Sequence, residues 1–121
     1  MSLNEKIENV YSHIGTQIKN TQNEESIQFD FDARLTEIHI FFPSGQNGTL
    51  HLFFQIEGMN VLKNLKNSSA LKYVCGDAQP FDLKPQQPIR RGQVFSIITD
   101  NVDAVNDHQY FIWFTIKKEA L

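Results

Sequence analysis

The chain changes its hydrophobic periodicity near residue 20, and this change restricts the folds that it can adopt. Before that point the apolar residues recur at spacings of three and four, as one face of an amphipathic helix does. They are Leu3, Ile7, Val10, Ile14 and Ile18. From Ile27 onward the spacing is two, which is typical of strands with one buried face. The pattern therefore predicts a short helix within residues 1–22, for assembly or docking, and a β-domain over residues 23–121.

Within the β-domain, apolar and polar residues alternate in several separate segments. One segment carries Ile38, Ile40 and Phe42 on one face, and another carries Leu50, Leu52, Phe54 and Ile56. Residues 94–99 are apolar on both faces, as expected of a buried strand. About seven or eight strands with turns every 8–12 residues indicate a sandwich. The predicted fold is mainly β, a jelly-roll-like β-sandwich preceded by one short amphipathic helix.

The composition limits the classes of partner that the protein is expected to bind and the cellular compartment in which it is expected to occur. The 121 residues carry a formal net charge of −3, so a surface built for phosphate backbones, and with it nucleic acid, is not expected. No apolar run approaches the roughly 20 residues that cross a bilayer, so we expect no membrane partner. The single cysteine, Cys75, forms no intrachain disulfide, which suits a reducing compartment. With no signal peptide visible, we expect a cytoplasmic or virion protein.

The sequence offers no catalytic constellation. The nucleophile motif G-x-S-x-G is absent, Cys75 has no local motif, and the six glycines are scattered singly instead of forming a phosphate loop. The four histidines are dispersed, which disfavours a cupin-type metalloenzyme. We therefore expect no enzyme and no cofactor, and the candidate roles are structural assembly or binding.

Two histidines could meet across a predicted hairpin. If Ile40 faces Leu50, then His39 falls opposite His51, with Glu37 beside them. Such a set could hold zinc, although an exposed polar pair is the interpretation that we favour, and no metal is predicted. Phe41 and Phe53 would share this face. The face is then covered by the chain itself, covered by a neighbouring subunit, or used to bind a ligand.

A loop rich in side-chain oxygens follows the buried strand at 94–99. It contains Asp100, Asn101, Asp103, Asn106 and Asp107. Calcium prefers such ligands, but the spacing does not match the EF-hand loop. Asp and Asn are also the usual residues of tight turns, and we expect that role here.

Two stretches resemble known virion proteins. The segment at residues 10–19 contains Ile14, Gly15, Ile18 and Lys19, and it resembles a helical segment of bacteriophage tail-fibre and baseplate-associated proteins. The stretch from Pro88 to Tyr110 resembles the final strands of virion β-sandwich modules, where a glycine turn, a strand, an Asn-x-Asp loop and a histidine follow one another. The resemblance implies a structural protein of a virion or phage tail.

The leading hypothesis is accordingly a non-enzymatic structural protein that forms a homo-oligomer, preferably a trimer, with other structural proteins as further partners. The candidate interface residues are Ile7, Val10, Ile14, Ile18, Phe41 and Phe53. The rival is a β-sandwich that binds carbohydrate or another small ligand, with Phe41, Phe53 or Trp113 as its platform. Its candidate ligand-binding residues are His39, His51 and Trp113.

Overall fold

The computed structural model describes residues 8–64 and 73–119, which form two antiparallel sheets packed face to face as a β-sandwich. The nine strands are β1 (Glu8–Gln17), β2 (Thr21–Gln28), β3 (Ala33–Phe42), β4 (Leu50–Ile56), β5 (Met59–Asn60), β6 (Gln79–Leu83), β7 (Gln87–Ile89), β8 (Val94–Asn101) and β9 (His108–Lys118). A short 3₁₀ turn spans Val61–Asn64. No helix of the described residues is long and apolar enough to span a membrane.

Neighbouring strands in the sequence lie in different sheets through most of the fold. The first sheet has the order β1-β9-β3, and β6 and β7 both pair with the remaining edge of β3. The second sheet has the order β2-β8-β4-β5. Pro85 separates β6 from β7 and cannot donate a ladder hydrogen bond, so this edge is built from two short pieces. The chain thus crosses from sheet to sheet after β1, β2 and β3.

The alternating segments supply the core between the sheets. Phe95 of β8 meets Phe114 of β9 at a ring-centroid distance of 5.3 Å, which joins the two layers. Each fully buried side chain of this size contributes about 1.5–3 kcal/mol of transfer free energy. The fully buried residues include Leu35, Ile38, Ile40, Phe42, Leu50, Leu52, Phe54, Leu62, Ile89, Phe95 and Ile97. The predicted inward faces of β3 and β4 are therefore confirmed.

The predicted N-terminal helix is wrong, because residues 8–17 form strand β1, which pairs antiparallel with β9. The apolar positions Val10, Ile14 and Ile18 are four residues apart. A spacing of four puts residues on one face of a helix, and also on one face of a strand, because four is a multiple of two. Leu3 and Ile7, which favoured the helix, lie outside the described residues. Residues 8–22 are thus part of the sandwich and not a separate helical module.

The inner face of β1 depends on a glycine. A Cβ atom at Gly15 would lie 2.8 Å from the hydroxyl oxygen of Tyr110, which is the residue opposite it on β9. Tyr110 is buried, and its ring contacts that of His13 at 5.1 Å between centroids. Gly15 therefore makes room for the tyrosine, and this packing explains its position in the middle of a strand.

The predicted hairpin between β3 and β4 is also wrong, since the two strands belong to different sheets. The chain between them makes a turn at Gly45 and Gly48, both with positive φ, and carries β4 across to the second sheet. The cross-strand pair of His39 and His51 is therefore not formed. A zinc site on that pair is excluded by the topology itself.

Candidate functional site

The outer face of the first sheet carries a contiguous apolar surface, which we call the aromatic face. It consists of Val10, Ile14, Phe41, Phe111 and Trp113. The strand register makes one row of it continuous, because Ile14 of β1 lies opposite Phe111 of β9, and Phe111 lies opposite Phe41 of β3. Val10 lies opposite Thr115 and is separated from Ile14 by Ser12 on the same face. Trp113 is two residues along β9 and points to the same side. Three strands thus bring together residues that are up to 103 positions apart in the chain.

These side chains are exposed to solvent. Val10 is 66% exposed, Ile14 is 51% exposed and Phe41 is 41% exposed, while Phe111 and Trp113 are half-buried. The Phe111 and Trp113 rings are nearly parallel, with an interplanar angle of 18° and centroids 6.2 Å apart. Phe41 and Phe111 are in tilted contact at 6.1 Å. Exposed apolar surface on several neighbouring strands is uncommon in monomeric proteins, which makes this face the candidate interaction surface.

A polar cluster borders the aromatic face on its β3–β6 side. His39 lies opposite Trp113 on one side and opposite Asp82 on the other. Its Nδ1 atom is 2.6 Å from Asp82 Oδ1, and its Nε2 atom is 3.3 Å from Glu37 Oε2. The hydrogen bond to Asp82 raises the pKa of His39, partial burial opposes that shift, and Glu37 adds to it. At this margin of the aromatic face, His39 thus lies between two carboxylates.

A cleft of about 320 Å³ lies at the far end of the same sheet and has mixed charge. Arg34 donates from Nε to Glu119 Oε1 at 2.6 Å and from Nη1 to the carbonyl of Gln86. The cleft is lined by Glu8, Arg34, Thr36, Glu37, Gln86, Thr115 and Lys117. Within residues 8–64 and 73–119, no three His, Cys, Asp or Glu side chains are grouped so that they could hold a metal ion.

The outer face of the second sheet is different, and we call it the polar face. It presents Gln22, Glu24, Ser26, His51, Phe53, Gln55, Ser96, Ile98 and Asp100. Its aromatic groups are half-buried and contact a further residue of the chain, because the Tyr73 ring stacks on His51 at 4.0 Å and contacts Phe53 at 5.4 Å. Ile98 is only 8% exposed. Phe53 and His51 are therefore separated from Phe41 and His39 by the whole thickness of the sandwich.

The oxygen-rich loop between β8 and β9 is held by its own side chains. The Asp103 carboxylate accepts the backbone N–H groups of Val105 and Asn106 and lies 2.9 Å from His108 Nε2. The bond from Val105, followed by that from His108, holds the pKa of Asp103 down at about 2. Asn101 accepts the backbone N–H of Asp103. Asn101, Asp103 and His108, which form the Asn-x-Asp and histidine pattern noted in the sequence, thus stabilise this turn through their hydrogen bonds. This is the turn role that the sequence predicted for the Asp and Asn residues.

The sequence analysis identified some residues of the aromatic face as candidates and missed others. Val10, Ile14, Phe41 and Trp113, which were candidate residues, are brought together, and Ile18 lies exposed in the turn after β1. Ile7 lies outside the described residues. Phe111 and Asp82 were missed, although the alternation along residues 110–116 places Phe111 on the same side as Trp113.

Comparison with known proteins adds no assignment. A scan against protein-family models finds no match for this chain, and a search of curated proteins finds no similar sequence.

Proposed function

We propose that this protein is a non-enzymatic structural domain that assembles into a closed homo-oligomer through its aromatic face. The observation that carries the proposal is the exposed surface formed by Val10, Ile14, Phe41, Phe111 and Trp113. Aromatic residues are enriched at the centres of protein interfaces, where charged residues are depleted. Here the charged groups lie at the margin and the aromatic groups at the centre.

A second copy of the chain is the occupant that fits this surface. The face is built on regular strands, so it is broad and rigid enough to meet an identical surface. It carries carboxylates at Glu37 and Asp82 along one side and a cation at Lys117 toward one end. A copy related by rotation lets the apolar centres meet while the charged groups stay at the margin.

The strand order also supports an assembly domain. When β6 and β7 are counted as one interrupted strand, the chain forms two four-stranded antiparallel sheets, and this count of eight strands supports a jelly roll. Jelly rolls are common in viral capsid domains. We therefore extend the proposal to a virion or tail-associated part. Two identical faces that meet across a twofold axis form a dimer, whereas the trimer expected from the resemblance requires the aromatic face to contact a different surface of the next copy. The sequence resemblance supports this extension through residues 88–110, whereas the segment at residues 10–19, where it implied a helix, consists of residues 10–17 of strand β1 and the turn that follows them.

The solution mass tests the proposal directly. Light scattering on the intact chain should give a multiple of the 14.0 kDa subunit mass. Trp113 is the only tryptophan, so its emission reports on the aromatic face alone and should shift to the red on dilution. A mass of one subunit at high micromolar concentration, with emission that does not change on dilution, would contradict the proposal.

A substitution pair localises the interface. Phe41→Lys places a charge on the aromatic face, directly opposite Phe111, and should produce monomers, because burying an unpaired charge is costly. Gln22→Lys introduces the same charge on the polar face, where Gln22 is exposed and lies opposite Asp100. This control should keep the wild-type mass. Equal loss of assembly in both variants would place the interface elsewhere.

Carbohydrate binding is the second candidate, and the near-parallel rings of Phe111 and Trp113 favour it. Two aligned aromatic rings beside hydrogen-bonding groups such as His39 and Asp82 can stack against a sugar face and bind its hydroxyls. If the protein is monomeric, titration with oligosaccharides of different linkage should change the Trp113 emission. A monomer whose emission responds to none of them would remove this alternative.

A further inference from the structure

We infer that the cluster of Glu37, His39 and Asp82 makes assembly through the aromatic face dependent on pH, with acid favouring the oligomer. This inference rests on the proposed function and deepens it, because it concerns the regulation of the same surface. The cluster lies within the outer face of the first sheet, one strand away from the centre of the apolar surface.

The two hydrogen bonds of His39 can form together only when each ring nitrogen carries a proton. Both nitrogens of His39 face carboxylate oxygens, Nδ1 toward Asp82 and Nε2 toward Glu37. Carboxylates only accept hydrogen bonds, and only the imidazolium has an N–H on both nitrogens. The neutral ring therefore satisfies one carboxylate and leaves the other facing a nitrogen lone pair. The imidazolium satisfies both.

Assembly makes this difference larger. With a charged histidine the three groups carry a net charge of −1, and with a neutral histidine they carry −2. Covering them with a second copy removes solvent that now screens the charges, since all three side chains are between 39% and 68% exposed. Because the cost of burying charge rises with its magnitude, the singly charged form is the better one to bury. The assembled state therefore binds a proton more tightly than the free subunit.

The charged groups around the cluster do not take over the proton uptake that we assign to His39. From β9, the neighbour of His39 is the uncharged Trp113, and from β6 it is Asp82. Lys117, Arg34 and Glu8 lie around Glu37 at the mixed-charge cleft, and Arg34 is already engaged with Glu119. No other histidine in the described residues lies on the outer face of the first sheet.

The test is the association constant of the intact chain, measured by light scattering and Trp113 emission between about pH 5.5 and 8.5, where histidine titrates. We expect tighter association toward acid, by at most about tenfold per pH unit for each proton taken up. In His39→Gln, which carries no titrating ring, the association constant should become flat over this range. His51→Gln on the polar face is the matched control and should keep the wild-type profile.

Asp82→Asn gives a second measurement that does not depend on the folding of the His39 variant. Without the Asp82 charge, the step in association should move toward lower pH. Strong assembly with the same constant at every pH would overturn the inference and leave the proposed function standing, as would a pH profile unchanged in His39→Gln. A monomer at every pH would overturn both.

Discussion

The two outer faces of this sandwich are built from the same kind of alternating strand but are completed in different ways. On the polar face, the apolar groups Phe53 and Ile98 are shielded by Tyr73 and by their strand neighbours. On the aromatic face, Val10 and Ile14 are more than half exposed and Phe41 is 41% exposed, while Phe111 and Trp113 are half-buried. The comparison teaches that one sheet face can contact further chain segments while the other is left open, and the open face is the one for which we propose a second copy as the occupant.

The largest expected effect is on association, when two charges are introduced on the aromatic face in one variant and on the polar face in another. The double variant Ile14→Lys with Phe41→Lys should be monomeric, because each position removes about 2 kcal/mol of association free energy, roughly 1000-fold in total. The matched double variant Gln22→Lys with Ser26→Lys should keep the oligomer mass in analytical ultracentrifugation. If the polar-face variant dissociates as well, the two faces are not functionally different.

Isoleucine truncation separates folding from association. Ile98→Ala on the polar face should lower the free energy of unfolding by about 2 kcal/mol, since its side chain is 8% exposed. Ile14→Ala on the aromatic face should change the stability of the dilute subunit by less than about 0.5 kcal/mol. Urea denaturation at low protein concentration measures both. Equal losses would show that Ile14 is buried within the subunit.

A smaller effect is expected from removing the shield of the polar face. Tyr73→Ala deletes the ring that stacks on His51 and contacts Phe53. The loss in unfolding free energy should be about 1 kcal/mol, from aromatic contacts and buried area. The oligomer mass should not change. A change in mass would instead connect Tyr73 to the assembly surface.

The smallest effect is the pH dependence of the dilute subunit. The pKa of His39 is raised in the folded state, chiefly by Asp82, so its stabilising contribution is complete below pH 6.5 and is lost as the pH rises through the raised value. Solvent screening keeps the contribution small because the group is exposed. Thermal melts of wild type and His39→Gln should converge toward alkaline pH. A constant difference would exclude a titration effect.

Local alternation was enough to predict the buried faces of β3 and β4, because a period of two identifies a strand without knowledge of its partners. The continuous apolar run at residues 94–99 was enough to predict the buried strand β8. Neither pattern was enough to pair the strands. Placing His39 opposite His51 assumed that consecutive strands are neighbours, but β9 lies between β1 and β3, and β8 lies between β2 and β4. The aromatic face depends on that non-local pairing.

The segment at residues 8–18 illustrates a second limit. Its exposed residues Val10 and Ile14 were recognised as part of an apolar interaction face. The element was nevertheless predicted as a helix, because a four-residue spacing places residues on one face of a helix and also on one face of a strand. The opposite side of β1, with Tyr11, His13 and Gly15, decides between them only once Tyr110 is known to pack there. The sequence thus indicated which apolar side chains are exposed, but not that they lie on the outer face of a sheet.

The central position of β9 has a consequence for how the protein is made. Its two neighbours in the first sheet, β1 and β3, are synthesised well before it, and neither pairs with the other. During translation, the first sheet therefore has no continuous ladder until residues 108–118 have left the ribosome. Until then the two halves of the aromatic face stay apart, so a nascent chain cannot display the complete surface and associate prematurely with its neighbours on the same messenger RNA. Such long-range pairing also makes folding slow.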